Sequence, residues 1–144
     1  MVLTPTDYFL ANMILFNNEP SQTKPTAQYV IFVYGTLKSG YGNNYLLKGA
    51  ECLGGAKTVE KYALYEQGIP YVVKSEPVAQ IQGEVYLVDS ATLARLDQLE
   101  GHPGWYYREL IPVILDRDIY QLLSAWIYFY PYPKGRLLPD GQFK

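Results

Sequence analysis

One uninterrupted apolar run, Tyr29-Val30-Ile31-Phe32-Val33-Tyr34, predicts a strand buried on both faces. β-Branched and aromatic content predicts five more strands, at Thr58–Tyr65, Tyr71–Lys74, Ile81–Val88, Tyr106–Leu115 and Gln121–Tyr130. Between Ile81–Val88 and Tyr106–Leu115 the spacing turns helical. Ala91 to Glu100 are mostly strong helix formers, with Asp89 or Ser90 as N-cap and Gly101 as the terminating glycine. A glycine-rich loop, Gly35 to Gly42, leads to a short helix around Asn43 to Lys48. Pro131, Pro133 and Pro139 with Gly135 and Gly141 predict an irregular tail. Six strands with one substantial internal helix cannot form repeated βαβ units. The predicted class is therefore α+β, a small mixed β-barrel of about six strands with flanking helices. Gly83, inside a predicted strand, suits a bulge or a close approach at a barrel corner.

The first 28 residues read differently. Met1 to Phe16 contains an aromatic and aliphatic stretch headed by Asp7, with no basic segment and no small-residue cleavage site. A short amphipathic helix capped by Thr6 or Asp7 is expected there, rather than a signal peptide. Residues 17–28 hold Pro20, Pro25 and several hydroxyl side chains and read as a linker. The expected organisation is an N-terminal extension and linker, 1–28, followed by a single domain, 29–144.

Composition narrows the function. With 144 residues, 49% hydrophobic and 18% charged, the chain can bury a real core. A net charge of −2 with scattered basic residues argues against nucleic-acid binding. One Cys and one His leave no internal disulfide and make a zinc site improbable, so no metal and a reducing cytoplasm are expected. No apolar run approaches the ~18 residues a membrane helix needs. Fifteen Tyr supply bulk with a polar tip, suited to a barrel interior or a pocket wall.

Two features could carry chemistry. On the helix, with Leu93 at zero, Leu99 falls near ~240°, Leu96 near ~300° and Glu100 near ~340°. Glu100 thus lies within the leucine arc and Asp97 on its edge. An ionised carboxylate in an apolar setting is costly unless it is paired or its pKa rises. A Glu bending to water at a frayed last turn fits the geometry equally well. The loop Tyr34-Gly35-Thr36-Leu37-Lys38-Ser39-Gly40 could aim backbone N–H groups at one point. It matches neither the phosphate-loop nor the dinucleotide pattern, and by itself reads first as a connector.

Five blocks together resemble a known family. Tyr34-Gly35-Thr36-Leu37-Lys38-x-Gly40, Gly83-Glu84-Val85-Tyr86-x-Val88-Asp89, Leu96-Asp97-x-Leu99-Glu100-Gly101, Tyr106-Tyr107-Arg108 and Ala125-Trp126-Ile127-Tyr128 are similar, in order, to the γ-glutamylcyclotransferase-like family. The nearest branch is that of the γ-glutamylamine cyclotransferases and plant avirulence-induced proteins. The resemblance spans roughly Tyr29 to Tyr130. It implies a small mixed barrel, no metal or organic cofactor, and a small γ-glutamyl substrate cyclised to 5-oxoproline with release of an amine or amino acid. It implies Glu100 as catalytic base and acid, and Tyr34, Gly35, Thr36 and Leu37 as the substrate loop; Tyr107 is a further candidate for the pocket wall. Among the other polar residues, Arg108 reads as a structural brace with Glu84 as a candidate partner, and Lys38 as a solvated loop lysine. His102 reads as a turn residue. Asp97 stays open between an acid or ammonium partner and a structural role, and Tyr41 and Asn43-Asn44 are candidates for the pocket rim. The alternative is a non-catalytic member binding a small ligand or a protein; assembly into a homo-oligomer is left open.

Overall fold

The alternation of inward and outward side chains explains why so few positions are spared burial. A computed structural model of the chain describes residues 2–3, 28–117 and 121–144. Its strands are β1 (Val2–Leu3), β2 (Gln28–Val33), β3 (Glu51–Gln67), β4 (Ile69–Val73), β5 (Ala79–Asp89), β6 (Tyr107–Leu115), β7 (Gln121–Phe129) and β8 (Arg136–Leu138), with one α-helix, α1 (Ser90–Glu100). β2 pairs antiparallel with β5, β5 with β3, β3 with β6 and β6 with β7. β7 then returns to β2 in parallel, Ile31 beside Trp126, and closes a five-stranded mixed barrel. β1, β4 and β8 add to its margins.

β2 is buried on both faces, as its unbroken apolar run predicts. Val30 and Phe32 point into the barrel with Val85, Leu87, Leu123, Ala125, Ile127 and Phe129. Ile31 and Val33 point outward into a second core with Leu93 and Leu96 of α1, Leu37, Leu47 and Tyr128. Each such side chain contributes roughly 1.5–3 kcal/mol on burial, so both faces of the strand are held. The helix behaves as its sequence dictates: Asp89 Oδ1 accepts the Thr92 N–H at 2.7 Å, and Gly101 ends it at φ 66°.

Gly83 is a close-approach site. A Cβ there would collide with the Val33 carbonyl and the Phe32 ring. The register of β3 against β5 shifts between Lys57 and Lys61. There the buried Thr58 Oγ1 accepts the Ile81 N–H at 2.9 Å and donates to the Glu60 carbonyl, replacing missing ladder bonds.

Three expectations change. β3 begins at Glu51 and not near Thr58, because its first half pairs with β5 despite three glycines or alanines that carry little strand signal. Arg136–Leu138, expected to be irregular, pairs with β3 as β8, an edge strand too short to register as a pattern. The short helix is a 3-10 turn over Asn44–Leu47. The helix expected near Thr6 or Asp7, and most of the linker, lie outside the described residues. Among the described residues no helix is long and apolar enough to cross a membrane.

Candidate active site

The end of β2, the turn into β4 and the C-terminal end of α1 meet around one cavity of about 460 Å³. Its walls include Tyr34, Gly35, Thr36 and Leu37 from the loop after β2, and Glu100 with Leu99 and Gly101 from the helix end. Ile69, Pro70, Trp105, Tyr106 and Tyr128 complete much of the rest. Five of the six expected site residues therefore share one space, although 62 or more positions separate the loop from the helix end along the sequence.

The loop is shaped by its own hydrogen bonds. The Lys38 N–H donates to the Gly35 carbonyl at 3.0 Å and the Asn43 N–H to the Thr36 carbonyl at 3.0 Å. Asn43 Nδ2 donates to Thr36 Oγ1 (2.9 Å) and Asn44 Nδ2 to the Leu37 carbonyl (2.8 Å). Among the described residues, the N–H groups of Gly35, Thr36 and Leu37 have no protein acceptor, while the carbonyls of the same residues each accept a hydrogen bond. Free main-chain donors beside a cavity form an anion-binding arrangement. Gly35 itself lets Pro70 pack directly onto the loop, since a Cβ there would overlap the proline ring.

The Glu100 carboxyl makes no hydrogen bond or ion pair to a described residue, and burial alone pushes it up to about 7. The phenols around it stay protonated. Tyr34, Tyr106 and Tyr128 are all driven well above the ordinary tyrosine value, in each case mainly by burial. Their protons are committed to protein acceptors: Tyr34 Oη donates to the Tyr128 carbonyl (2.6 Å), Tyr106 Oη to the Pro70 carbonyl (2.8 Å) and Tyr128 Oη to Asp97 Oδ1 (2.7 Å). Glu100 is the one carboxyl among the lining residues.

Asp97 is a brace. Arg108 Nε and Nη2 donate to its two oxygens at 2.8 and 3.2 Å, and the Arg108 guanidinium lies 4.3 Å from the centre of the Trp126 ring. Burial raises the Asp97 carboxyl, but the Arg108 and Tyr128 hydrogen bonds outweigh it and the net displacement is downward. Its stabilisation is therefore present above the unfolded carboxylate range and lost as pH falls through the folded value. Asp97→Asn is expected to cost about 2 kcal/mol at pH 7 by urea denaturation, with the gap to wild type closing near pH 3.

Several expectations need correcting. Tyr107 does not line this cavity: its ring packs at 5.8 Å on Phe129, and Tyr106 takes the wall position. Strand parity carries the signal, since Tyr107 shares a side with the buried Ile111, Val113 and Leu115. Glu84 does not meet Arg108; it accepts the Ser39 N–H (2.7 Å) and the Tyr86 hydroxyl (3.1 Å). Lys38 donates to the Phe143 carbonyl at 2.7 Å instead of standing free in solvent. His102 sits in the turn, as its sequence position predicts, and its Nδ1 accepts the Arg108 N–H at 3.2 Å. Leu99, placed on the apolar arc with Leu93 and Leu96, is 46% exposed at the cavity. Ile69, Pro70 and Trp105 carry no sequence signal for the cavity, because Ile69 and Pro70 reach it only when distant elements meet and Trp105 only through the fold-back of the turn after α1. Among the described residues, no group of three His, Cys, Asp or Glu side chains could hold a metal ion.

A closed mixed barrel with a half-buried, uncommitted carboxyl and free main-chain donors on one cavity defines a small-molecule site with acid–base capacity. Residues 31–144 match the family described as gamma-glutamyl cyclotransferase, AIG2-like, and the chain belongs to that family. A Methanocaldococcus jannaschii protein provisionally named a gamma-glutamylcyclotransferase is 47% identical over 115 residues, covering 79% of this chain and 94% of its own length. The gamma-glutamylcyclotransferase family protein YtfP of Escherichia coli K12 is 38% identical over 116 residues, 78% of this chain and 94% of that one. The crystal structure of a mouse AIG2-like protein superposes with a TM-score of 0.71 at 26% identity, covering 81% of this chain and 88% of its own.

Proposed function

We propose that this protein cyclises γ-glutamyl amides, releasing 5-oxoproline and an amine, with Glu100 moving the protons. The observation that carries this reading is the uncommitted Glu100 carboxyl, raised to about 7, on a cavity shared with the free N–H groups of Gly35 to Leu37.

The substrate brings its own nucleophile. Its α-nitrogen attacks the γ-carbonyl carbon, a C–N bond forms to close a five-membered ring, and the C–N bond to the leaving amine breaks. Holding the folded-back conformer removes much of the entropic barrier. Two protons pass from the α-ammonium to the leaving nitrogen, so the products are the lactam and an alkylammonium, with no water consumed. Glu100 takes the first proton as base and returns it as acid, a role worth roughly 10²–10⁴-fold. Its raised pKa suits both directions near neutral pH. The loop amides stabilise the oxygen that becomes negative as the carbonyl turns tetrahedral, or hold the α-carboxylate. The three phenols, kept neutral, form a polar but uncharged wall.

The test is incubation with a panel of γ-glutamyl dipeptides, γ-glutamyl-ε-lysine and γ-glutamyl alkylamines, with 5-oxoproline and glutamate measured separately. Ring closure gives 5-oxoproline without ¹⁸O from labelled water; simple hydrolysis gives labelled glutamate and overturns the proposal. A panel with no turnover moves the weight to a binding role for the same cavity. A base that must be ionised makes kcat/KM rise with pH through an apparent pKa near 7. A flat profile between pH 5.5 and 8.5 contradicts Glu100 as the base.

A further inference from the structure

The cavity has two chemistries. Beside Glu100 and the loop amides stand three large apolar side chains that remain open to water: Ile69 (46% exposed), Leu99 (46%) and Trp105 (70%). Their position is enforced by the backbone. The turn after α1 folds back, with the Trp105 N–H donating to the Gly101 carbonyl (2.9 Å) and the Tyr106 N–H to the Glu100 carbonyl (3.2 Å), which sets Trp105 beside the helix end. Ile69 follows Gly68, whose positive φ of 79° turns β3 into β4.

The described lining residues include no Lys, Arg or His. Among the described residues, Arg108 is engaged by Asp97 and Lys38 by the Phe143 carbonyl, while Lys134 lies over the Tyr71 ring at 5.4 Å and outside the lining. The free loop amides are the main-chain donors available for anionic oxygen, and ring closure uses them at the γ-glutamyl end. A second carboxylate on the departing group would therefore find no cationic partner among the described lining residues and would face the Glu100 carboxyl, a like charge once both are ionised.

We infer that the departing group is an apolar primary amine without a carboxylate, of the arylalkyl or branched-alkyl kind, seated on Ile69, Leu99 and Trp105. This rests on the ring-closure reading above. Trp105 is then a specificity-determining residue. An exposed apolar patch continuous with a reaction cavity is explained by the part of the substrate that covers it.

The experiment compares kcat and KM for the γ-glutamyl amides of phenethylamine, isopentylamine, methylamine, putrescine and alanine in the full-length protein. The phenethyl and isopentyl amides are expected to exceed the alanine and putrescine compounds by about tenfold or more in kcat/KM. Trp105→Ala is expected to raise KM for the phenethyl amide about tenfold with little change in kcat. The methyl amide, which has no side chain to seat, should be affected far less, and Trp105→Phe should restore most of the loss. Turnover led by the alanine or putrescine compound overturns this inference and leaves ring closure standing. Absence of 5-oxoproline from every amide overturns both. A Trp105→Ala protein that loses a dimer while KM is unchanged identifies the patch as an interface between two copies, which also overturns it.

Discussion

Glu100→Gln is expected to abolish the proposed 5-oxoproline release, a loss of about 10³-fold in kcat, while the protein folds normally and gains stability at alkaline pH. The two effects have one cause. Burial holds the Glu100 carboxyl near 7, so the folded state disfavours its anion. Below the ordinary carboxylate range the group is neutral in both folded and unfolded chains and costs nothing extra. As pH rises from there through about 7, the unfolded chain ionises first and folding is progressively penalised. At pH 8 the penalty is at most about 3 kcal/mol, and less where water reaches the half-buried side chain. Gln keeps the shape without the charge. Its melting temperature should match wild type near pH 4 and exceed it by roughly 3–8 °C at pH 8. Calorimetric scans at the two pH values, beside an assay for 5-oxoproline, separate the outcomes. Retained turnover removes Glu100 from proton transfer. Equal stability at pH 8 removes the burial argument for its pKa.

Gly83→Ala is expected to destabilise the barrel by about 3 kcal/mol, the upper range for overpacking. The new Cβ meets the Val33 carbonyl and the Phe32 ring, both held in a strand whose last four side chains are buried. Neither can move without separating β2 from β5. Because the proposed substrate loop leaves β2 directly after Val33, the surviving folded fraction should also bind a γ-glutamyl amide less tightly. Gly55→Ala is the matched control. Its Cβ would meet only Asp116 Oδ2 at 3.4 Å and the Gly83 carbonyl at 3.9 Å, so a change within about 0.5 kcal/mol is expected in urea denaturation. Similar losses for both substitutions would mean that glycine serves strand flexibility in general and not close approach at Gly83.

The resemblance carried by five short blocks and the family match over residues 31–144 agree on the fold and on cyclotransferase membership. What the chain itself made legible was local. The unbroken run before Gly35 reads as a strand buried on both faces because every position from Val30 to Val33 must meet a core. The helix was visible because Asp89 and Gly101 supply the chemistry of its two ends, and the position of Glu100 follows from 100° per residue alone. Gly83 stood out as a residue with no side chain in a segment that otherwise packs.

The tertiary structure decided what depends on which side of an element faces which neighbour. Whether Glu100 bends to water or turns into a cavity is settled by the loop after β2, which lies far from it in the sequence, together with the turn at Trp105 that follows it directly. Tyr106 and Tyr107 are adjacent and chemically identical; strand parity puts Tyr107 on the inner side of β6 against Phe129, but the fold brings Tyr106 to the cavity. Arg108 could have met any carboxylate; the fold brings it Asp97. A hydrophobic pattern records the period of an element, and period is a property of the local backbone. Partner, facing and enclosure arise only when strands distant in sequence close into one barrel.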